Sequence, residues 1–231
     1  MRTHWLSSLL FPLLIAPAAA GTNTGKIVID GIEYGQGITQ GDHRFATEQR
    51  RLPCFDHIRL EASIDLEYTP GKRCEVILEG DSNLLPLIET RVTGGGLQIR
   101  TRRSFQTDGV LRARVTSPDL RALTVQGSGD VYLHGIHSPE LSVKVAGSDD
   151  IRGEGRVGRL DLTVDGSGDL DLGRLRAETV KIRLRGSADV IVHASQRLEV
   201  DLSGAGDVSY YGHPAQVITH ISGAGDVEAM D

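Results

Sequence analysis

The sequence returns to one short phrase, in which glycine, a small residue and glycine precede an aspartate and an apolar residue. "GSGDV" at 127–131 and "GSGDL" at 166–170 are followed by "SGAGDV" at 203–208 and again at 222–227. Alignment on the aspartate gives six copies, 18 to 20 residues apart, at Asp130, Asp150, Asp169, Asp189, Asp207 and Asp226. A period of this length is typical of solenoids, in which each copy stacks on the one before it.

Alternating apolar residues precede each copy of the phrase, which indicates half-buried strands. The pairs are Leu123/Val125, Val143/Val145, Leu162/Val164, Ile182/Leu184, Val200/Leu202 and the weaker Thr219/Ile221. No segment shows helical periodicity, and the signature of a leucine-rich repeat is absent. The sequence therefore predicts an all-β chain that folds as a parallel β-helix with coils of about 19–20 residues.

The side chains between these apolar residues point outward and predict the register of neighbouring coils. Opposite charges then meet on adjacent strands, where each pair stabilises the sheet by about 0.2–1 kcal/mol. The predicted pairs are Asp165 with Arg185, Arg183 with Asp201, and Lys181 with both Asp161 and Glu199. The basic run "KIRLR" at 181–185 is thus interpreted as a solvated sheet face and not as a nucleic-acid site.

The repeated aspartate has three possible roles. An apolar residue follows each aspartate, so the aspartate side chains are expected to point outward at a corner. Glycine supplies the positive φ angle of this corner, and the aspartate side chain hydrogen-bonds to the backbone of its own turn. Stacked carboxylates repel one another by about 1 kcal/mol per pair in water, so calcium bound along Asp130, Asp150, Asp169, Asp189, Asp207 and Asp226 is an alternative. The third role is catalysis by paired carboxylates. An acid and a base need different environments that separate their pKa values, and equivalent corners do not provide them. The corner role is favoured.

The other polar residues give little support to an enzyme. His134 and His137 lack a third ligand. His193 is expected at the same repeat position as His134 but three coils away, too far to share a metal with it. Tyr132, Tyr210 and Tyr211 offer few aromatic rings for a sugar-binding groove. No nucleophile elbow or phosphate loop occurs. We therefore expect no catalytic residue and no cofactor.

The first twenty residues have the pattern of a signal peptide. Arg2 precedes an apolar run, and "AAA" at 18–20 fits a cleavage site. We expect a periplasmic or secreted protein with no transmembrane segment in the mature chain. A net charge of −6 and an aromatic content of 4% disfavour nucleic acid as a partner. In an oxidising compartment, Cys54 and Cys74 are expected to form a disulfide, with two buried thiols as the alternative.

The region before the coils resembles the start of bacterial GIN-domain proteins, a family described as heads of autotransporter adhesins. The matching stretches are the entry with Arg51, Phe55 and Ile58, then "VILEGDSNLLPLI" at 76–88 and "GGLQIRT" at 95–101. The resemblance covers roughly 44–227. It implies a right-handed parallel β-helix exported to the envelope, without an established activity or catalytic residues. The chain ends soon after the last corner, where we expect no translocator.

These observations predict a signal peptide (1–20), a leader or N-terminal cap (21–43) and a β-helical domain (44–231). Segments 58–68, 74–79 and 97–101 are expected to form the first, less regular coils, and 25–37 to pair with them or cap them. Only five residues follow Asp226, so an open C-terminal strand edge could support a homodimer.

Three functions follow from the sequence. The favoured one is a non-catalytic envelope or surface module that binds a protein or a glycan. The alternatives are a cation-binding structural protein and a carbohydrate-active β-helix enzyme.

Overall fold

A computed structural model describes residues 27–29, 32–34 and 38–230. The signal peptide predicted at 1–20, and residues 21–26, 30–31 and 35–37 of the predicted leader, lie outside these residues. Strands β1 (Ile27–Ile29) and β2 (Ile32–Tyr34) form an antiparallel hairpin. The main body begins at Ile38.

The main body is built almost entirely of strands, with one 3-10 turn at Leu85–Leu87. Its first strands are β3 (Thr39–Gln40), β4 (Phe45–Arg51), β5 (His57–Glu61), β6 (Asp65–Pro70), β7 (Glu75–Asp81), β8 (Ile88–Thr93), β9 (Gly96–Thr101), β10 (Phe105–Gln106), β11 (Arg112–Ser117) and β12 (Ala122–Val125). The later strands are β13 (Asp130–Val145), β14 (Asp150–Val164), β15 (Leu170–Leu184), β16 (Val190–Leu202), β17 (Val208–Tyr211), β18 (Gln216–Ile221) and β19 (Val227–Ala229).

Strands β13 to β16 are each one nearly complete coil, and they stack in parallel. We number these coils 1 to 4, and β17 and β18 form coil 5. Each coil has a segment after the aspartate, called face A, and a segment before the glycine phrase, called face B. Register shifts between the two faces bend each coil and leave a shorter third side. The predicted parallel β-helix is confirmed.

Both faces bury an apolar column. On face A, the residue directly after each of five aspartates is at most 1% exposed. These residues are Val131, Ile151, Leu170, Val190 and Val208. Burying a branched aliphatic side chain contributes about 1.5–3 kcal/mol. The period-two pattern thus creates a continuous core along the stack.

The N-terminal half extends the same two faces. Face A runs in the order β4-β7-β11-β6-β13 and face B in the order β8-β9-β5-β12-β13. Strands β5 and β6 are parallel to the coils, whereas β4, β7 and β8 pair antiparallel with their neighbours. The predicted first coils therefore join the stack, and antiparallel strands form its N-terminal end.

A seventh copy of the repeated phrase lies at "ASID", residues 62–65, which the sequence pattern did not reveal. Asp65 pairs in register below Asp130, since Leu66 lies opposite Val131. Strands β6 and β12 form the two faces of this coil, and residues 71–121 are an insertion between them. The insertion explains why the first two aspartates of the stack are 65 residues apart.

The corner glycines are required because successive coils approach closely. A Cβ at Gly166 would lie 2.0 Å from the carbonyl oxygen of Gly147, and one at Gly204 would lie 2.0 Å from that of Gly186. The expectation that a positive φ angle requires these glycines was wrong. Among the corner glycines of the described region, only Gly186 has a positive φ, of 152°.

The C-terminal strands of the described region pair on one side only. Strand β18 pairs with β16, and β19 pairs with β17. Val217 and Ile221 continue the inward column of face B but are 42% and 46% exposed. Within the described part of the chain, no helix has the length and apolar character needed to cross a membrane.

Candidate functional site

The repeated aspartates form one ladder along the corner between coils. The backbone N–H of Asp169 donates to Asp150 Oδ1 (3.0 Å), that of Asp207 to Asp189 Oδ1 (3.0 Å), and that of Asp226 to Asp207 Oδ1 (2.9 Å). The steps from Asp65 to Asp130 and from Asp169 to Asp189 carry the same bond. The carboxylates of five ladder residues thus bind the next coil and not their own turn, namely Asp65, Asp150, Asp169, Asp189 and Asp207.

This geometry favours a structural role for the ladder. One oxygen of each bonded carboxylate already accepts an N–H group, and Asp169, Asp189, Asp207 and Asp226 are exposed to solvent that screens their repulsion. In the described region, no group of three or more His, Cys, Asp or Glu residues is arranged to hold a metal ion. Calcium binding along the ladder stays a prediction of the alternative role.

Two substitutions separate the two roles of the ladder. We expect Asp189→Ala to lower the free energy of unfolding by about 1 kcal/mol, because the N–H of Asp207 loses its acceptor. Asp189→Asn keeps an acceptor oxygen and removes the charge between Asp169 and Asp207, so its stability should stay within about 0.5 kcal/mol of the wild type. Thermal unfolding after metal removal, with and without millimolar calcium, completes the test. A calcium-induced stabilisation that Asp189→Asn abolishes would contradict the purely structural role.

Asp149 is a buried carboxylate that replaces the second glycine of its phrase. Its side chain is 0% exposed. Oδ1 accepts the N–H of Gly129 at 2.9 Å, and Oδ2 accepts that of Gly127 at 3.2 Å. Burial raises the pKa of Asp149 above its usual value, against the lowering effect of these two bonds. The residue therefore ties two corners together within the stack.

The charged rows of face B confirm the predicted register. Lys181 lies opposite Asp161 and Glu199, and Arg183 lies opposite Asp201. Lys181 forms an ion pair with Glu199. Two details differ from the prediction, and both concern single ion pairs.

The first detail is that Asp161 forms its ion pair within its own strand, with Arg159 at 2.8 Å. The second is that Arg183 does not approach Asp201 within the 4.0 Å of an ion pair in the described region. Arg185 does reach Asp165, at 3.7 Å. The basic run is thus a face of mixed charge.

A second row, on the third side of the coils, is basic without this compensation. His137, Arg156, Arg176 and His193 lie in register across coils 1 to 4. The prediction that His193 shares the position of His134 was wrong. His193 lies four positions after Asp189, whereas Arg176 lies seven positions after Asp169, so in the shorter coil His193 moves into this row.

The same difference in coil length opens a groove beside the row. One depression of about 350 Å³ is lined by Tyr132, His134, Arg152, Glu154, Asp171 and Arg174. A second, of about 720 Å³, is lined by Asp171, Arg174, Arg176, His193, Tyr211 and His213. Because the two share Asp171 and Arg174, they form one continuous surface, which we call the arginine groove.

Two tyrosines shape the arginine groove. The guanidinium carbon of Arg152 lies 5.8 Å from the centroid of the Tyr132 ring, a cation–π contact, and Arg152 Nη1 also donates to the Tyr132 hydroxyl at 3.4 Å. Tyr211 reaches back from coil 5 over Gly173, where a Cβ would come within 3.0 Å of its ring. Short coil 4 and Gly173 together let this ring form part of the floor.

The sequence named the tyrosines of the groove but not its arginines. Arg152, Arg174 and Arg176 follow no motif along the chain, and each sits on a coil whose length differs from that of a neighbour. No fixed spacing from the aspartates could have found the row, because the spacing ranges from seven positions for Arg176 to four for His193.

Cys54 and Cys74 are joined by a disulfide, with Cα atoms 5.0 Å apart. Cys54 precedes β5 and Cys74 precedes β7. The backbone N–H of Leu52 also donates to the carbonyl of Cys74 at 3.1 Å. The bridge therefore lies at the N-terminal end of the stack, far along the chain from the arginine groove.

Similar solved structures share the fold. A "putative adhesin" from Bacteroides fragilis matches with a TM-score of 0.67 and 21% identity, over 84% of this chain and 100% of that one. A "putative lipid binding protein" from Parabacteroides distasonis matches with 0.54 and 22%, over 84% and 100%. A "putative adhesin" from Parabacteroides merdae matches with 0.54 and 17%, over 84% and 99%. Identities this low show the fold alone.

A search of curated proteins gives no match to this sequence. The family model described as "Putative auto-transporter adhesin, head GIN domain" matches residues 54–214, which include the inserted strands, the aspartate ladder to Asp207 and most of the arginine groove. This match covers more than half of the sequence. The chain therefore belongs to the GIN-domain family.

Proposed function

We propose that this chain is an exported, non-catalytic binding module of the cell envelope or surface, of the adhesion type. The arginine groove carries the binding part of the proposal, because it spans several coils of the stack. Membership of a family described as adhesin heads supports the adhesion part. The partner is an envelope protein or a glycan.

The proposal includes export by the signal peptide at 1–20 and a mature chain with a leader at 21–43 and a β-helical domain at 44–231. The disulfide between Cys54 and Cys74 is consistent with an oxidising compartment. Expression of the full chain in its native host, followed by fractionation and mass spectrometry, tests export. We expect a chain shortened by about twenty residues in the envelope or the medium. Full-length chain in the cytoplasm would overturn this part.

Adhesion and the absence of catalysis are tested on the purified mature protein. Immobilised protein should retain cells or envelope fragments more strongly than a surface coated with an unrelated acidic protein. The soluble protein should release no reducing ends from polysaccharides after long incubation. Retention equal to that of the control surface would overturn the binding module, and release of reducing ends would overturn the non-catalytic role.

A homodimer through the C-terminal edge is part of the same proposal. Val217 and Ile221 are exposed on the last face B strand of the described region, and an unpaired strand edge can pair with a second copy. We expect light scattering to show a mass that increases with protein concentration, and Ile221→Lys to keep the protein monomeric. A wild-type monomer at high concentration would contradict the dimer.

A further inference from the structure

The basic charge around the arginine groove is only partly compensated, since Arg152 lies opposite Asp171 and Arg174 opposite Glu154 on the neighbouring strand. Arg152, Arg156, Arg174 and Arg176 lie on two consecutive coils, and all four are exposed. In the described part of the chain, none of them approaches a carboxylate within the 4.0 Å of an ion pair. Arg156 and Arg176 are also direct cross-strand neighbours, an arrangement that destabilises a sheet. A bound anion would remove this repulsion.

Arginine is suited to such an anion. Its planar guanidinium binds a carboxylate or a sulfate through two parallel hydrogen bonds. The cation–π contact with Tyr132 holds the Arg152 guanidinium in place before a ligand arrives, which lowers the entropy lost on binding. The Tyr132 hydroxyl in turn donates to Asp130 Oδ2 at 3.3 Å. The groove thus presents at least one oriented guanidinium.

Two carboxylates in the same groove narrow the class of ligand. Asp171 Oδ1 accepts a hydrogen bond from the N–H of Gly173 at 3.2 Å, and Glu154 Oε1 lies 3.7 Å from His134 Nδ1. Both also line the groove, where they can accept hydrogen bonds from hydroxyl groups. The backbone of DNA offers phosphate anions without hydroxyl groups that could donate hydrogen bonds to these carboxylates. A polysaccharide with acidic groups offers both anions and hydroxyls.

We propose that the arginine groove binds a linear polysaccharide that carries carboxylate or sulfate groups. Arg152, Arg174 and Arg176 line the groove and bind the anionic groups of the polysaccharide, and Arg156 adds positive charge beside Arg176. Asp171 accepts hydrogen bonds from the hydroxyl groups of the polysaccharide. The Tyr211 ring, which lies over Gly173, packs against the face of a sugar. From Tyr132 on coil 1 to Tyr211 on coil 5 the groove spans about 19 Å at the strand spacing, the length of a short run of sugars. This assignment rests on the proposed binding function and names its ligand class.

Binding to defined polymers tests the assignment. The mature wild-type protein is titrated with polygalacturonate (carboxylates), dextran sulfate (sulfates) and neutral dextran, and affinity is measured by calorimetry at two salt concentrations. We expect one or both acidic polymers to bind, with an affinity that falls with salt, and neutral dextran to bind at least about tenfold more weakly. The double variant Arg156→Ala/Arg176→Ala should weaken binding of the acidic polymer by about tenfold or more.

The matched control is Arg183→Ala/Arg185→Ala, which removes the same charge from two exposed arginines of face B. It should bind like the wild type, and both variants should keep the wild-type melting temperature within a few degrees. An equal loss of polymer affinity in both variants would overturn the assignment of binding to the groove, because affinity would then depend on net charge alone. Tighter binding of polyglutamate or single-stranded DNA than of either acidic polysaccharide would overturn the ligand class.

Failure here is distinguishable from failure of the proposed function. If wild-type protein retains cells but binds neither acidic polymer, the adhesion-type module stands and the assignment of the groove is wrong. If the immobilised protein retains no cells yet the groove variant loses polymer binding, the ligand class assigned to the groove stands and the adhesion-type function is wrong. The Arg156→Ala/Arg176→Ala variant in the cell-retention measurement links the two, since it should retain fewer cells than Arg183→Ala/Arg185→Ala.

Discussion

Gly166→Ala is expected to lower the free energy of unfolding by about 3 kcal/mol or more. The new Cβ would lie 2.0 Å from the carbonyl oxygen of Gly147 in the coil below. That oxygen accepts the N–H of Ser167 at 3.1 Å, so the coils cannot separate at this corner without loss of the bond. Because the φ of Gly166 is not positive, the cost arises from coil contact and not from the backbone conformation of alanine.

Ser167→Ala is the matched control for this substitution. The same position in the last two phrases is occupied by Ala205 and Ala224. Within the described residues, the one hydrogen bond of the Ser167 hydroxyl is to the exposed Ser148 hydroxyl, at 3.2 Å. Its stability should stay within about 0.5 kcal/mol of the wild type. Urea unfolding followed by far-ultraviolet circular dichroism measures both. A loss below about 1 kcal/mol for Gly166→Ala would show that close approach does not explain the repeated glycine.

The fold was predictable because its repeat is carried by single residues at fixed spacing. The aspartates and the apolar residue after each of them determine where a coil begins, and the stack follows from their alignment. The copy at 62–65 was missed because alanine and isoleucine replace its glycines and an insertion separates it from Asp130. Only the backbone register, in which Leu66 lies opposite Val131, reveals it.

The arginine groove was less accessible to sequence reasoning for a different reason. A count from the aspartate places His193 with His134, but the bend between faces A and B absorbs different numbers of residues in each coil. The row of His137, Arg156, Arg176 and His193 forms only after that bend. On face B the count runs back from the glycine phrase without crossing a bend, and there the predicted register was confirmed.

Removal of the disulfide is the second large effect. We expect Cys54→Ser/Cys74→Ser to lower the free energy of unfolding by about 3 kcal/mol. The bridge joins cysteines 20 residues apart and so restricts the conformations open to the unfolded chain. Urea unfolding of the wild type in a reducing agent should give the same lower stability, while the variant should not respond to the reducing agent. Unchanged stability of the reduced wild type would contradict this role.

The location of the bridge predicts which part of the stack loosens first. Cys54 and Cys74 hold the end of β4 and the starts of β5 and β7 together, whereas coils 1 to 5 contain no cysteine. Since each coil contacts only its neighbours, a local loss of stability stays local in a solenoid. Hydrogen exchange of the double variant should therefore show faster exchange in β4, β5 and β7 and unchanged exchange in β15 and β16. Equal acceleration in β15 and β16 would mean that the stack unfolds as one unit, and that the bridge stabilises the arginine groove as well.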